Sequence, residues 1–183
     1  MNLKECNLCE ELSAYRTQVV CGRGNVKSNV FVCGEAPGKT EDSKGIPFIG
    51  YSGSILNKYL KTAGLSRKDV FISNAVKCFP PKRKGSAKPT NDEIKNCNKW
   101  LVKEIGIVNP KIILAFGTTA MQALTGIKEG ITSKIGTIEH YEHIPVFITL
   151  HPAATLHSPG RKMQFANSAI ALKNYMKENK IYA

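Results

Sequence analysis

No apolar run in the 183-residue sequence approaches the roughly 20 residues that a membrane-spanning helix requires. The opening Met1-Asn2-Leu3-Lys4-Glu5-Cys6 also lacks the apolar stretch of a secretory signal. The expected location is therefore intracellular, in the cytoplasm or nucleoid, with no membrane partner. Internal repeats and low-complexity tracts are absent, and the chain is short for two domains. With 42% hydrophobic residues it can build one well-cored domain, so residues 1–183 read as a single unit. Acids are scarce: 14 Asp and Glu against 26 Lys and Arg leave a formal net charge of +12. Such an excess attracts polyanions, nucleic acid first among them, although a lysine-coated surface is the plainer explanation. Clustering favours the former. Lys77, Lys82, Arg83, Lys84 and Lys88 fall in one Pro- and Gly-bearing loop, and Arg161 and Lys162 follow another turn.

Six cysteines are present, four of them in two distant groups. Cys6 and Cys9 form a C-x-x-C, and Cys78 and Cys97 flank the lysine-rich loop. Thiolates at such spacings bind soft metals, and in a reducing compartment ligation is favoured over disulfides. Zinc and a [4Fe-4S] cluster both accept four thiolates, and spacing does not choose between them. A redox dithiol would call for a strand ahead of the C-x-x-C, whereas Cys6 follows only five residues. Cys33 sits in the apolar run Val30-Phe31-Val32-Cys33 and reads as a small buried hydrophobe. Cys21 has no evident partner.

Four β-like runs, Asn29 to Cys33, Val70 to Ser73, Lys111 to Ala115 and Val146 to Leu150, alternate with helical patterns. Ile55, Leu56, Tyr59, Leu60 and Ala63 recur at helix spacing until Gly64. Thr90 and Glu93 form a capping box ahead of Cys97, Trp100, Leu101 and Ile105. A further helix starts near Gly117, and the last runs from about Gln164 to Asn179. The alternation predicts an α/β fold with a mainly parallel sheet covered on both faces. Ligands bind such sheets beyond the carboxyl ends of the strands. There the sequence carries Gly34-Glu35-Ala36-Pro37-Gly38, Asn74, Phe116-Gly117 and His151-Pro152-Ala153, a convergence of carboxylate, amide and imidazole groups.

These segments, with Glu41-Asp42, Pro47-Phe48-Ile49-Gly50 and Asn74-Ala75-Val76-Lys77-Cys78, resemble the family-4 uracil-DNA glycosylases in the same order over nearly the whole chain. The resemblance implies a three-layer α/β/α sandwich around a four-stranded parallel sheet. It also implies a structural [4Fe-4S] cluster on Cys6, Cys9, Cys78 and Cys97, with no catalytic metal, and a substrate of uracil-containing DNA, single- or double-stranded. The enzyme is expected to act as a monomer.

By position, Gly34, Glu35, Ala36 and Pro37 would wall a pocket, Phe48 would stack on a flipped-out uracil, and Asn74 would read its polar edge, since a carboxamide offers both a donor and an acceptor. His151 would donate to the departing uracil. A carboxylate must orient the attacking water. Family-1 relatives place an Asp where this chain has Ala36, so the role passes to Glu35 first and Glu41 second. Asp42 reads as a loop anchor.

The segment Ala154-Thr155-Leu156-His157-Ser158-Pro159 resembles the family's DNA-entering loop, with Leu156 as wedge. His157 stands where Arg is usual and Thr155 where a larger apolar residue is usual. Lys82, Arg83, Lys84, Arg161 and Lys162 complete the expected DNA face. Two relatives of the same fold compete: one traps uracil covalently through a histidine in the basic loop, which this chain lacks, and one of broad specificity carries an apolar residue at the Glu35 position. A non-catalytic, metal-clasped nucleic-acid-binding module would suit the charge and cysteines equally but would not call for the polar strand ends.

Overall fold

The computed structural model describes residues 2–83, 85–156 and 158–182. Its six strands are β1 (Arg23–Gly24), β2 (Val30–Gly34), β3 (Phe71–Asn74), β4 (Ile112–Phe116), β5 (Ile138–Tyr141) and β6 (Ile144–Thr149), in the order β1-β3-β2-β4-β6-β5. The inner four are parallel to one another. Residues of β2, β3 and β4 are buried throughout, as continuous Val, Ile, Leu and Phe runs require when both sheet faces are covered.

The expected four-stranded parallel sheet is thus extended by an antiparallel strand at each edge. The reason lies in the edges themselves. β1 is two exposed residues with Gly24 at φ +135°. β5, Ile-Glu-His-Tyr, is mostly half-buried and turns into β6 through Glu142, at φ 52°. Neither contains an apolar run.

Side chains alternate along each inner strand and divide the core in two. Val30, Val32, Leu114 and Phe116 pack with α3 (Tyr51–Thr62) and α7 (Pro159–Glu178) through Leu56, Leu60, Phe165 and Leu172. Phe31, Cys33, Ile113 and Ala115 pack with α4 (Asn91–Val108) and α5 (Thr118–Thr125) through Leu101, Ile105 and Met121. The Thr90–Glu93 capping box opens α4: the Glu93 amide donates to Thr90 Oγ1 at 3.2 Å and the Thr90 amide to Glu93 Oε2 at 2.7 Å. α7 starts five residues before the expected Gln164, because Ser158 caps it and Pro159 takes its first turn, where no N–H partner is needed.

A third, smaller core lies beside the sheet. It gathers Cys6, Cys78 and Cys97 with Leu12, Val19, Val76, Ile94 and Trp100, and Cys9 packs against it. This core joins the amino-terminal segment, including α1 (Glu10–Tyr15), to α4 and to the chain just beyond β3.

The strand order reverses between β2 and β4: from β2 the chain crosses to β3 on one side and later to β4 on the other. A crevice forms at the carboxyl ends of strands on either side of such a reversal.

Candidate active site

That crevice holds a cleft of about 320 Å³ whose lining includes Glu35, Ala36, Pro37, Phe48, Asn74 and His151, six of the seven residues expected to contact substrate. Gly34, the seventh, lies beneath the wall. A methyl group on it would sit 2.3 Å from Phe48 Cζ and 2.5 Å from Asn74 Oδ1. Only glycine permits those two side chains to approach the strand end so closely.

Phe48 is buried at φ 52°, a strained region for a bulky residue, and the surroundings hold it there. Arg67 Nη1 donates to the Phe48 carbonyl at 2.7 Å, and Nη2 donates to the Pro47 carbonyl. A side chain on Gly53 would collide with the Phe48 carbonyl oxygen at 1.8 Å, so the first turn of α3 also closes on the loop. The Phe48 and His151 rings face each other across the cleft, centroids 6.0 Å apart and tilted by 35°.

Asn74 is 2% exposed, and its Oδ1 has no hydrogen-bond partner among the described residues. A buried acceptor without a partner costs roughly 1–3 kcal/mol, which a ligand N–H could recover.

His151 accepts the Ala153 amide at Nδ1, 3.3 Å away, an arrangement that puts the proton of the neutral ring on Nε2. Burial lowers its pKa from 6.5, opposed by the negative charges of Glu35 and Glu41. In the window between that lowered value and 6.5 the unfolded chain therefore holds more protons than the folded one. Stability contributed by the neutral ring is complete above 6.5 and is lost as pH falls through the folded value. Thermal melts between pH 7.5 and 5 should show a steeper acid decline for the wild type than for His151→Asn. Parallel curves would remove His151 as a source of that decline.

The three acids have separate surroundings. Glu35, half-buried, accepts from Thr119 Oγ1 at 2.6 Å, a contact that spans the β2–β4 crevice. Glu41, on α2 (Lys39–Lys44), accepts the amides of Ile49 and Gly50 at 3.0 and 2.7 Å through Oε1, bracing the Phe48 loop against the start of α3. Asp42 accepts the Thr17 amide at 2.9 Å and anchors the amino-terminal segment.

The basic groups divide. Lys82, Arg161 and Lys162 are exposed, as is Leu156, at 42%, in the turn after His151. Arg83 is instead engaged: Nη2 meets Glu11 at 2.8 Å and Glu93 at 2.5 Å, so its guanidinium ties α1 to the start of α4. Lys84 and His157 lie outside the described residues. Lys77, expected among the loop charges, is fully buried, and Nζ donates to Ser73 Oγ, the Asn74 carbonyl and Glu104 Oε2, each at 2.6 Å. Its sequence signals were a position within four residues of a strand and an acid, Glu104, on the inward stripe of the α4 pattern.

The four expected ligand cysteines each receive an N–H at sulfur. Trp100 Nε1 lies 3.2 Å from Cys6, Asn96 Nδ2 3.7 Å from Cys9, Arg16 Nη1 3.1 Å from Cys78, and the Lys77 amide 3.3 Å from Cys97. Such donors stabilise thiolate charge, a recognised means of tuning iron–sulfur ligands. Burial raises the Cys9 and Cys78 thiols and pushes Cys97 up to about 12, so a metal or donors must offset the cost of deprotonation. Among the described residues no three His, Cys, Asp or Glu side chains close on a single metal ion. The chemistry of the donor set, four thiols with an N–H at each sulfur, fits a tetrathiolate centre.

Fold and cleft define an α/β protein with a cleft at the switch point of a mainly parallel sheet. The chain belongs to the uracil DNA glycosylase superfamily, whose family model matches residues 21–173. It is 36% identical over 171 residues to a Type-4 uracil-DNA glycosylase of Pyrobaculum aerophilum, covering 89% of this chain and 85% of that protein. A Type-4 uracil-DNA glycosylase of Thermotoga maritima is 37% identical over 164 residues, 88% of this chain and 83% of that one. That of Archaeoglobus fulgidus is 32% identical over 171 residues, covering 89% and 84%.

Proposed function

We propose that this chain is a uracil-DNA glycosylase that takes uracil out of the DNA stack and hydrolyses its N-glycosidic bond, leaving an abasic site. The buried Asn74 Oδ1, without a partner among the described residues and in a cleft shared with Phe48 and His151, carries the reading. Uracil offers an N–H flanked by two carbonyls. Asn74 can accept that N–H through Oδ1 and donate its amide N–H to the adjacent carbonyl. Cytosine reverses the donor and acceptor at those positions and leaves the buried carboxamide unmatched, a penalty of the kind that excludes near-isosteres. Phe48 supplies a stacking face in place of the lost base neighbours.

As the bond from N1 to the sugar C1′ breaks, its electron pair passes to the base. His151 Nε2–H is the group positioned to donate to a uracil carbonyl and stabilise that anion. Water adds to C1′ and gives one proton to the Glu35 carboxylate, which returns it to solvent, and the departed uracil anion takes up a proton from solvent. Glu35 orients this water, since its carboxylate has one protein hydroxyl partner, whereas Glu41 is engaged with two backbone amides. Glu41 serves the site by fixing Phe48.

Cys6, Cys9, Cys78 and Cys97 are the residues that would hold a [4Fe-4S] cluster. When bound, the cluster would cross-link the amino terminus to the segment after β3 and to α4, and no step of the hydrolysis passes through it. Residues 1–183 are read as one glycosylase domain acting as a monomer on the cell's DNA. Leu156 would enter the vacated stack, with Lys82, Arg161 and Lys162 on phosphates. No helix among the described residues is long and apolar enough to cross a membrane.

Incubation with a labelled oligonucleotide containing one deoxyuridine should yield alkali-labile cleavage at that position and none in a thymidine control. Equal cleavage of both, or of neither, would overturn the assignment. Binding to both without base release would support a module that acts by binding alone.

A further inference from the structure

We infer that Lys77 is a positioning residue that couples the cysteine site to uracil recognition, by holding the peptide that carries Asn74. The inference rests on the reading of Asn74 as the residue that recognises uracil.

The ammonium of Lys77 is enclosed. Its three protons meet three acceptors, Ser73 Oγ, the Asn74 carbonyl and Glu104 Oε2, all at 2.6 Å, so the head group is saturated without solvent. Glu104 is equally committed: Oε2 also receives Ser73 Oγ at 2.6 Å and Oε1 the Gly22 amide at 2.8 Å. A buried pair of this kind often contributes little net stability compared with apolar residues of similar size. Its retention here is better explained by geometry. One of the three bonds fixes the main chain at Asn74, whose side chain has no partner at Oδ1 among the described residues to orient it.

The backbone of the same residue touches the sulfur site. The Lys77 amide donates to Cys97 Sγ at 3.3 Å, its carbonyl accepts the Val20 amide at 2.8 Å, and Cys78 follows directly. Between the two ends, the Ala75 and Val76 amides donate to the Gly34 and Glu35 carbonyls at 2.9 and 3.0 Å. Five residues, Asn74 to Cys78, therefore link the pocket wall, the carboxylate motif and two sulfurs. Displacement of the sulfurs is felt at Asn74 through Lys77.

The test is a double-mutant cycle between Lys77→Met and Asn74→Ala, read per iron-loaded molecule. Single-turnover base release from a deoxyuridine oligonucleotide should fall about 10- to 100-fold in Lys77→Met, the scale of a misplaced recognition group. In the Asn74→Ala background the same change should cost no more than about twofold. Affinity for an oligonucleotide with 2′-fluoro-2′-deoxyuridine, whose bond resists cleavage, should follow the same non-additive pattern. Visible absorption and binding to undamaged DNA should stay at wild-type values. Because a lone Met leaves Glu104 buried without its partner, Lys77→Met/Glu104→Gln is the companion variant, expected to melt near the wild type yet keep the slow rate. Full additivity with Asn74→Ala, or wild-type rates in the companion variant, would overturn the coupling alone. A harmless Asn74→Ala would overturn the reading of Asn74 and the coupling with it.

Discussion

Replacing His151 by alanine should slow base release in single turnover by about 10²- to 10³-fold, the cost of removing one donor aimed at developing negative charge. The ring enters the cleft at the end of β6. Gly117 makes room for it: a side chain there would lie 2.9 Å from His151 Cβ, and Gly117 holds φ +93°. The Ala153 amide occupies Nδ1 at 3.3 Å, and burial favours the neutral ring, so Nε2 presents a proton without reorganisation. A pre-oriented donor stabilises the anion more than the intact base, which is what lowers the barrier. Affinity for DNA should change little, because the basic groups at the surface are untouched. An unchanged single-turnover rate would remove His151 from the chemistry.

Gly34→Ala should abolish measurable turnover, with a loss of at least about 10²-fold, through geometry alone. The added methyl has nowhere to go. Phe48 Cζ at 2.3 Å and Asn74 Oδ1 at 2.5 Å both lie far inside contact distance. Phe48 cannot retreat easily, since Arg67 and the first turn of α3 fix its backbone at φ 52°. Asn74 is held by Lys77. The overlap must displace the stacking ring or the carboxamide, at a cost of about 1–3 kcal/mol in stability. Visible absorption should persist, because neither Gly34, Phe48 nor Asn74 belongs to the third core. The expected readouts are a melting curve a few degrees lower and an affinity for the 2′-fluoro-2′-deoxyuridine oligonucleotide reduced to that for undamaged DNA. Wild-type turnover would contradict the close approach.

The inner strands were legible because their burial on both faces leaves uninterrupted apolar runs, and the strand-end motifs come together because a parallel sheet gathers its carboxyl ends. β1 and β5 were not legible, being short, polar and defined by pairing rather than pattern. Charged residues were the other blind spot. Lys77 and Arg83 lie in a lysine-rich stretch and look like surface charge, yet one is buried against Glu104 and the other bridges Glu11 and Glu93. Their partners are 27 and 72 residues away for Lys77–Glu104 and Arg83–Glu11, separations that no local pattern encodes. Glu41 is a similar case. Nothing in its spacing distinguishes a water-orienting carboxylate from one that accepts the Ile49 and Gly50 amides.

Simultaneous quantification of released uracil and of the intact protein mass, during incubation with an excess of deoxyuridine oligonucleotide, tests the central claim most directly. A hydrolytic glycosylase should release several equivalents of free uracil per protein molecule while its own mass stays unchanged. No free uracil, or a single stoichiometric rise in protein mass by one oligonucleotide, would contradict it.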